Sequence, residues 1–237
     1  MCNAGAAPRG APLAGGAYFA AVRAGRQEWR FELPCGMTAP AFPYLHHDFG
    51  VEILDIDLQD DQSEAAWQSL RDALAQHSLL VLRKQKLTRE AMQRAALAFG
   101  AWHGEVQRLE TRGPSERQEW HCTTGDDASP AVATVLCARE APTQDGGMDF
   151  FSTHAPSSAQ GKEIPRGARP EALEIEPERV YHHDFRPDDV LIWDNAALMH
   201  RACGLRPGER RVLEEISVHG ERAAPPRAIS RAATGRA

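Results

Sequence analysis

The sequence has no apolar run long enough for a membrane-spanning helix, few cysteines, and no excess of positive charge. No run approaches the roughly 20 apolar residues that a membrane helix needs, which argues against a membrane protein. The formal net charge of −6 argues against a nucleic-acid-binding surface, because such surfaces are usually basic. The 5 cysteines form no CxxC pair, which indicates reduced thiols. The N terminus also lacks the pattern of a secretory signal, so we expect a cytoplasmic location.

Composition divides the chain into three parts. Residues 1–40 are rich in Ala, Gly and Pro, and residues 222–237 are basic and Ala-rich without apolar periodicity. We interpret both as poorly ordered segments that flank one domain at 41–221. A chain of 237 residues is long enough for that domain to bury a two-layer core.

Periodicity within the domain predicts two helices followed by several strands. The first helix places Trp67, Leu70 and Leu74 on one face, with Asp61 as the expected N-cap. The second runs from near Thr88 to Gly100. Apolar or alternating runs predict strands at 51–58, 78–85, 131–138, 148–151, 188–195 and 210–220. Early helices and late strands are typical of an α+β domain with a mainly antiparallel single or double sheet.

Three short stretches contain residues suited to chemistry: "WHCT" at 120–123, "WDNAALMH" at 193–200 and "ERRVLEE" at 209–215. Non-haem iron sites use two imidazoles and usually one carboxylate. His121 and His200 each lie beside a strand-like run, so a closed antiparallel sheet could bring them together. Arg211 could lie on the neighbouring strand and bind a carboxylate through two hydrogen bonds. Taken singly, these features also fit a surface histidine, an Asx turn and a surface ion pair.

Together, residues from about 50 to 220 resemble the taurine dioxygenase/TfdA family of Fe(II)- and 2-oxoglutarate-dependent oxygenases. The resemblance is carried, in order, by "GVEILDIDL", "HSLLVLRKQKLT", "LAFGAWHG", "WHCTTGDDASPAVATVLCAREAPTQDGG" and "FRPDDVLIWDNAALMHRACGLRPGERRVLEEISVHG". It implies a double-stranded β-helix, a clavaminate synthase-like jelly-roll core with flanking helices. It also implies Fe(II), 2-oxoglutarate and O₂ as cofactors. His121 and His200 match the metal-binding histidines, and Arg211 matches the anchor for the far carboxylate of 2-oxoglutarate.

The sequence departs from the family at the position of the carboxylate ligand, where it has Thr123. A neutral hydroxyl is a poorer ligand for Fe(II) than an anionic oxygen. Related halogenases have Ala or Gly at this position, and chloride binds there instead. Halogenation with bound chloride is therefore one alternative, although Thr is bulkier. Asp126 or Asp127 could supply the carboxylate instead, but acids beside Gly125 are more often turn residues.

Two acidic residues also depart from the family. Asp149 stands where the family usually has a Thr that helps to hold 2-oxoglutarate. Either Asp149 enters that site, where it would need a proton or a partner such as Arg210 or Arg211, or the alignment is shifted by one residue and Asp149 points elsewhere. Glu215 falls where the taurine enzyme has an arginine that binds a sulfonate, so we expect a preference for cationic substrates. The alternative is a solvated strand edge. The segment between Phe151 and Tyr181 is also short for the family.

We therefore expect a Fe(II)/2-oxoglutarate-dependent oxidoreductase that hydroxylates or halogenates a small molecule, in specialised metabolism. The alternative is a catalytically impaired member that acts as a binding or regulatory module, because Thr123 replaces the carboxylate. A cupin-like protein with another reaction would need ligands that we do not identify. The adjacent pairs His46–His47 and His182–His183 are interpreted as surface residues, since neighbours on a strand point to opposite faces. A homo-oligomer would be ordinary for a soluble enzyme.

Overall fold

A computed structural model describes residues 18–23, 26–31, 42–102, 104–123, 131–153 and 175–220. The helices are α1 (Glu64–His77) and α2 (Arg89–Phe99). The strands are β1 (Tyr18–Arg23), β2 (Arg26–Phe31), β3 (Phe42–Pro43), β4 (Val51–Ile53), β5 (Leu79–Leu82), β6 (Gln107–Arg112), β7 (Ala131–Glu140), β8 (Met148–Ser152), β9 (Val180–His183), β10 (Val190–Asp194), β11 (Leu198–Ala202) and β12 (Arg210–His219).

The first three strands form a small antiparallel sheet, of which β1 and β2 lie within the segment 1–40. The rest of that segment and the C-terminal segment 222–237 lie outside the described residues. The predicted domain boundaries at 41 and 221 therefore stay a prediction.

Both predicted helices are present, and their ends show why they begin and stop. The Ser63 hydroxyl accepts a hydrogen bond from the backbone N–H of Ala66 at 3.2 Å, so the N-cap of α1 is Ser63. The prediction of Asp61 as the N-cap was wrong, because Ser63 is the residue with an extended backbone whose oxygen reaches the first turn. Helix α2 begins after Thr88 and ends before Gly100, as predicted.

We expect Thr88→Ala to lower the free energy of unfolding by about 1 kcal/mol, because the first turn of α2 loses its cap. The Thr88 hydroxyl accepts from the backbone N–H of Ala91 at 3.2 Å. Urea unfolding followed by circular dichroism measures the change. Thr88→Ser keeps the hydroxyl and is the matched control; an equal loss in both variants would contradict the capping role.

The predicted strands β5, β7, β8, β10 and β12 are confirmed, and the predicted strand at β4 is shorter than expected. Six strands were not predicted: β1, β2, β3, β6, β9 and β11. Strand β4 ends at Ile53 rather than near Leu58, and Asp55 adopts a left-handed backbone with φ of 62°. Strand β6 is mostly exposed and polar, and β9 and β11 are short. Such strands lack a long apolar or alternating run, which is why periodicity missed them.

The main sheet has six strands in the order β4-β5-β10-β7-β12-β6, with antiparallel neighbours except for the parallel pair β4 and β5. On one face, Ile192 and Val135 join Met92 of α2 in a buried cluster. The other face packs against a smaller sheet, β11-β8-β9, where the rings of Phe150 and Trp193 lie 5.5 Å apart. Two facing sheets with helices outside one of them form the expected jelly-roll core.

Candidate functional site

The two predicted metal-binding histidines lie side by side. His121 and His200 form an isolated antiparallel bridge, in which the N–H of each donates to the carbonyl of the other, at 3.0 Å and 2.8 Å. Residues directly opposite in such a bridge project to the same side, and the two ring centroids are 4.4 Å apart. The structure therefore brings together two imidazoles that are far apart in the sequence.

The chemical state of both rings suits metal binding. The Nδ1 of His121 lies 3.0 Å from the carbonyl oxygen of Glu119, a contact that leaves Nε2 available as a ligand. His200 is 4% exposed, and its buried Nδ1 has no hydrogen-bond partner among the described residues. Burial, and to a smaller extent the neighbouring His121, lower the pKa of His200 to about 3. His200 is thus neutral at physiological pH, as a metal ligand must be.

Aromatic residues enclose the inner end of the histidine pair. The ring of His200 lies 4.9 Å from that of Trp193 and 6.1 Å from that of Phe150, centroid to centroid. Trp193 is fully buried, and its indole N–H has no hydrogen-bond partner in the part of the chain that the structure describes. Trp193 was not among the predicted site residues, although it stands in the same "WDNAALMH" stretch as His200. These rings make this end of the site dry, which strengthens polar interactions there.

The turn that leads into β11 has the Asx geometry that "WDN" allowed. The Asp194 side chain accepts hydrogen bonds from the N–H groups of Ala196 and Ala197 at 2.9 Å and 3.2 Å. This turn reverses the chain between β10 and β11 and so sets the position of His200. Asp194 is thus a structural residue beside the site.

Thr123, which the family resemblance predicts at the third ligand position, is half-buried two residues after His121. Among the described residues, no group of three histidine, cysteine, aspartate or glutamate ligand atoms includes the histidine pair. Asp126 and Asp127, the alternative carboxylates, lie outside the described residues. The described site is therefore a two-histidine site with a neutral residue at the third position.

Arg211 lies on β12 with its charge buried. Alternate residues of β12 face the smaller sheet, and Leu213 packs into the core between the sheets, so Arg211 projects to the same side. Its Nη1 donates to the carbonyl oxygens of Gly146, Gly147 and Cys203 at 2.6 Å, 3.3 Å and 3.0 Å. The structure gives Arg211 no carboxylate partner among the residues it describes. A guanidinium that is only 4% exposed without a counter-ion favours an anionic ligand.

Glu215 follows Arg211 by four residues on β12 and shares its face. Burial raises the pKa of Glu215, and the nearby His121 opposes that shift. Glu215 is thus close enough to His121 for an electrostatic interaction, at the inner side of the sheet rather than at a solvated edge. The structure thus brings His121 and His200 together, with Glu215 near His121, and places Arg211 on the same face of β12 as Glu215.

The chain matches the model of the taurine catabolism dioxygenase TauD, TfdA family over residues 41–169 and 170–216. It belongs to this family. A curated relative, the (S)-phenoxypropionate/alpha-ketoglutarate-dioxygenase of Sphingobium herbicidovorans, is 35% identical over 46 residues. That match spans 19% of this chain and only 16% of the relative.

Solved structures support the fold of this TauD/TfdA family member. The structure of AAD-2 in complex with Mn(II) and N-oxalylglycine has a TM-score of 0.64 and 15% identity, covering 76% of this chain and 97% of that one. A taurine dioxygenase from Burkholderia xenovorans has a TM-score of 0.61 and 18% identity, covering 76% and 90%. At these identities the likeness establishes the fold alone, and it confirms the predicted jelly-roll with flanking helices.

Asp149 of this TauD/TfdA chain projects away from the histidine pair. On β8, Phe150 pairs with His200 and Asp149 pairs with Arg201, so Asp149 and His200 project to opposite faces of the smaller sheet. Its carboxylate binds Arg201 Nε at 2.9 Å and His182 Nδ1 at 2.7 Å, not Arg210 or Arg211. This geometry corresponds to the alternative in which Asp149 points away from the co-substrate.

The same alternation corrects the interpretation of His182 and His183 as two surface residues. His183 is fully buried, and its Nε2 lies 3.2 Å from the carboxylate of Asp189. Burial lowers the pKa of His183. His182 instead projects outward to Asp149. His182 and His183 do point to opposite faces of β9, but one face of a strand between two layers is the core.

The structure shows no helix among its described residues with the length and apolar character needed to cross a membrane.

Proposed function

We propose that this protein is a Fe(II)- and 2-oxoglutarate-dependent dioxygenase that oxidises a C–H bond of a small molecule. The observation that carries the proposal is the pair of adjacent imidazoles, His121 and His200, on the same inner side of the sheets as Arg211, whose buried charge has no carboxylate partner among the described residues. Family membership supports the same reaction class. The overall reaction converts 2-oxoglutarate, O₂ and substrate R–H into succinate, CO₂ and R–OH.

Each residue of the proposed site has its own role in this reaction. His121 and His200 would hold Fe(II), which activates O₂ when it is bound. Arg211 would bind the far carboxylate of 2-oxoglutarate and so fix the orientation of the co-substrate. Trp193 would exclude water from the inner end of the site. Glu215, near His121, would face the substrate and favour a cationic group there.

Thr123 supports a second candidate, halogenation of the same small-molecule class. A neutral third position leaves the metal one negative charge short of the usual set, and a bound chloride would restore that charge. The non-catalytic alternative rests on the same residue. The homo-oligomeric state and the cytoplasmic location stay predictions.

Anaerobic titration of Fe(II) and 2-oxoglutarate into the metal-free protein tests the proposal. We expect a weak visible charge-transfer band that appears only when both are present, followed by succinate formation on exposure to air. A shift of this band on addition of chloride would favour halogenation. Absence of both the band and retained iron would overturn the enzyme proposal and favour a binding module.

Thr123→Asp should raise the affinity for Fe(II) at least about tenfold, because it restores a charged oxygen beside the metal. Tenfold corresponds to about 1.4 kcal/mol, which is less than the Coulomb attraction between close unit charges near a protein surface. Thr123→Asn has nearly the same shape without the charge and is the matched control. Equal iron affinity in the wild type and both variants would show that residue 123 does not face the metal.

A further inference from the structure

A second cluster of metal-binding side chains lies on the outer face of the smaller sheet. Asp149 on β8, His182 on β9 and Cys203 just after β11 have ligand atoms that all lie within 4.8 Å of one another. The His182 Nδ1 is 2.7 Å from Asp149 Oδ1, and the Cys203 Sγ is 3.4 Å from the same oxygen and 3.8 Å from Nδ1. This cluster is separate from the histidine pair, because the intervening β-sheet directs His200 to the other face.

Neighbouring side chains hold the imidazole of His182 and the carboxylate of Asp149 in position. The second nitrogen of His182, Nε2, lies 3.1 Å from the Asp184 carboxylate, an arrangement that commonly orients metal-binding histidines. The second oxygen of Asp149, Oδ2, accepts from Arg201 Nε at 2.9 Å, and Arg117 lies 4.0 Å from it. Arg201 therefore binds the oxygen that a metal ion at Oδ1 would leave free, and Arg117 lies near that oxygen.

We propose that Asp149, His182 and Cys203 form a second metal site, which binds a divalent cation of the Zn²⁺ class. The combination of a thiolate sulfur, an imidazole nitrogen and a carboxylate oxygen is typical of Zn²⁺ and of its substitute Co²⁺. A cavity of about 430 Å³, lined by Asp149 and His182 among others, gives a cation access from solvent. Three protein ligands beside a cavity leave a fourth position for water or a small ligand.

The three ligand atoms of the cluster would need to move little to coordinate a metal ion. Tetrahedral coordination with ordinary zinc bond lengths separates ligand atoms by about 3.3–3.6 Å. The separations from Cys203 Sγ, 3.4 Å and 3.8 Å, are already close to this range. Only the contact between Asp149 Oδ1 and His182 Nδ1, at 2.7 Å, would have to open, by roughly 0.6 Å.

Titration of Co²⁺ into the metal-free full-length protein tests the site, because a Co²⁺–thiolate bond gives a charge-transfer band in the near ultraviolet. We expect this band in the wild type and in His200→Ala, and its loss in Cys203→Ser. Asp184→Ala should weaken Co²⁺ binding at this site by about 10- to 100-fold, the usual effect of removing the partner of a metal-binding histidine. Circular dichroism checks that each variant folds.

Cys122 provides the matched control, because it lies directly after His121 and is half-buried. Cys122→Ser should retain the band. The proposal would be overturned if the folded wild-type protein shows no band or if Cys203→Ser keeps the band. It would also be overturned if Cys122→Ser alone loses the band. None of these results depends on iron or 2-oxoglutarate, so they are distinct from a failure of the proposed dioxygenase function.

Discussion

His200→Ala is expected to abolish Fe(II) binding and 2-oxoglutarate-dependent succinate formation. Removing only the hydrogen-bond partner of a metal-binding histidine typically lowers metal affinity about 10- to 100-fold, so loss of a ligand should cost more than about 100-fold. With Thr123 at the third position, the site has no described carboxylate to compensate. Anaerobic Fe(II) titration and a succinate assay measure the two effects.

His77 offers a matched control for His200. It is also a buried histidine, 5% exposed, with a ring nitrogen that has no hydrogen-bond partner in the described ranges, and burial lowers its pKa to about 4. It lies in α1, behind the main sheet, where its ring packs against Tyr44. Both alanine variants remove a buried ring and should lower Tm, but only His200→Ala should lose iron. Undiminished turnover in His200→Ala would refute its assignment as a ligand.

Arg211→Gln is expected to raise the Kd of 2-oxoglutarate by about 30-fold or more. Truncation of one partner in a buried charge pair costs about 2 kcal/mol or more, and 2 kcal/mol corresponds to about 30-fold. The loss should depend on the far carboxylate of the co-substrate. The wild type should therefore bind 2-oxoglutarate better than 2-oxobutyrate, which lacks that carboxylate, and Arg211→Gln should bind the two nearly equally. Calorimetry in the presence of Fe(II) measures all four constants.

Arg210→Gln is the control for Arg211, because it removes the same charge from the preceding residue. Arg210 projects to the opposite side of β12, where it pairs with Glu110 and Glu140. We expect its Kd for 2-oxoglutarate to stay within about threefold of the wild type, since surface ion pairs contribute little. A larger effect of Arg210→Gln than of Arg211→Gln would mean that the two arginines have been assigned to the wrong faces.

Helix caps and apolar periodicity predict the elements that carry the strongest local signals. Helix α2 was placed between Thr88 and Gly100 because its caps and apolar spacing agree. Strands β7 and β10 contain apolar runs that are buried on both faces. Strand β6 carries six mostly exposed residues at the edge of the sheet. β6 forms because its backbone pairs with β12, and its own side chains carry no strand pattern.

The direction in which the Asp149 side chain points could not be predicted from the sequence. A shift of one residue along a strand moves a side chain from the core to the opposite face. The chain sequence left both positions open for Asp149, whereas its pairing with Arg201 and His182 places it opposite His200. The same pairing creates the Asp149–His182–Cys203 cluster, whose members are up to 54 residues apart.

Local spacing and the order of motifs along the chain predict both helices, the apolar strands and the resemblance to the TauD/TfdA family. They also point to His121, His200 and Arg211 as candidate site residues. Which residues meet depends on how the strands pair in the folded protein. Strand pairing joins His121 to His200 over long sequence distances, and the two faces of each strand separate the inner site from the outer cluster. Those are properties of register and layering, which no single stretch of sequence contains.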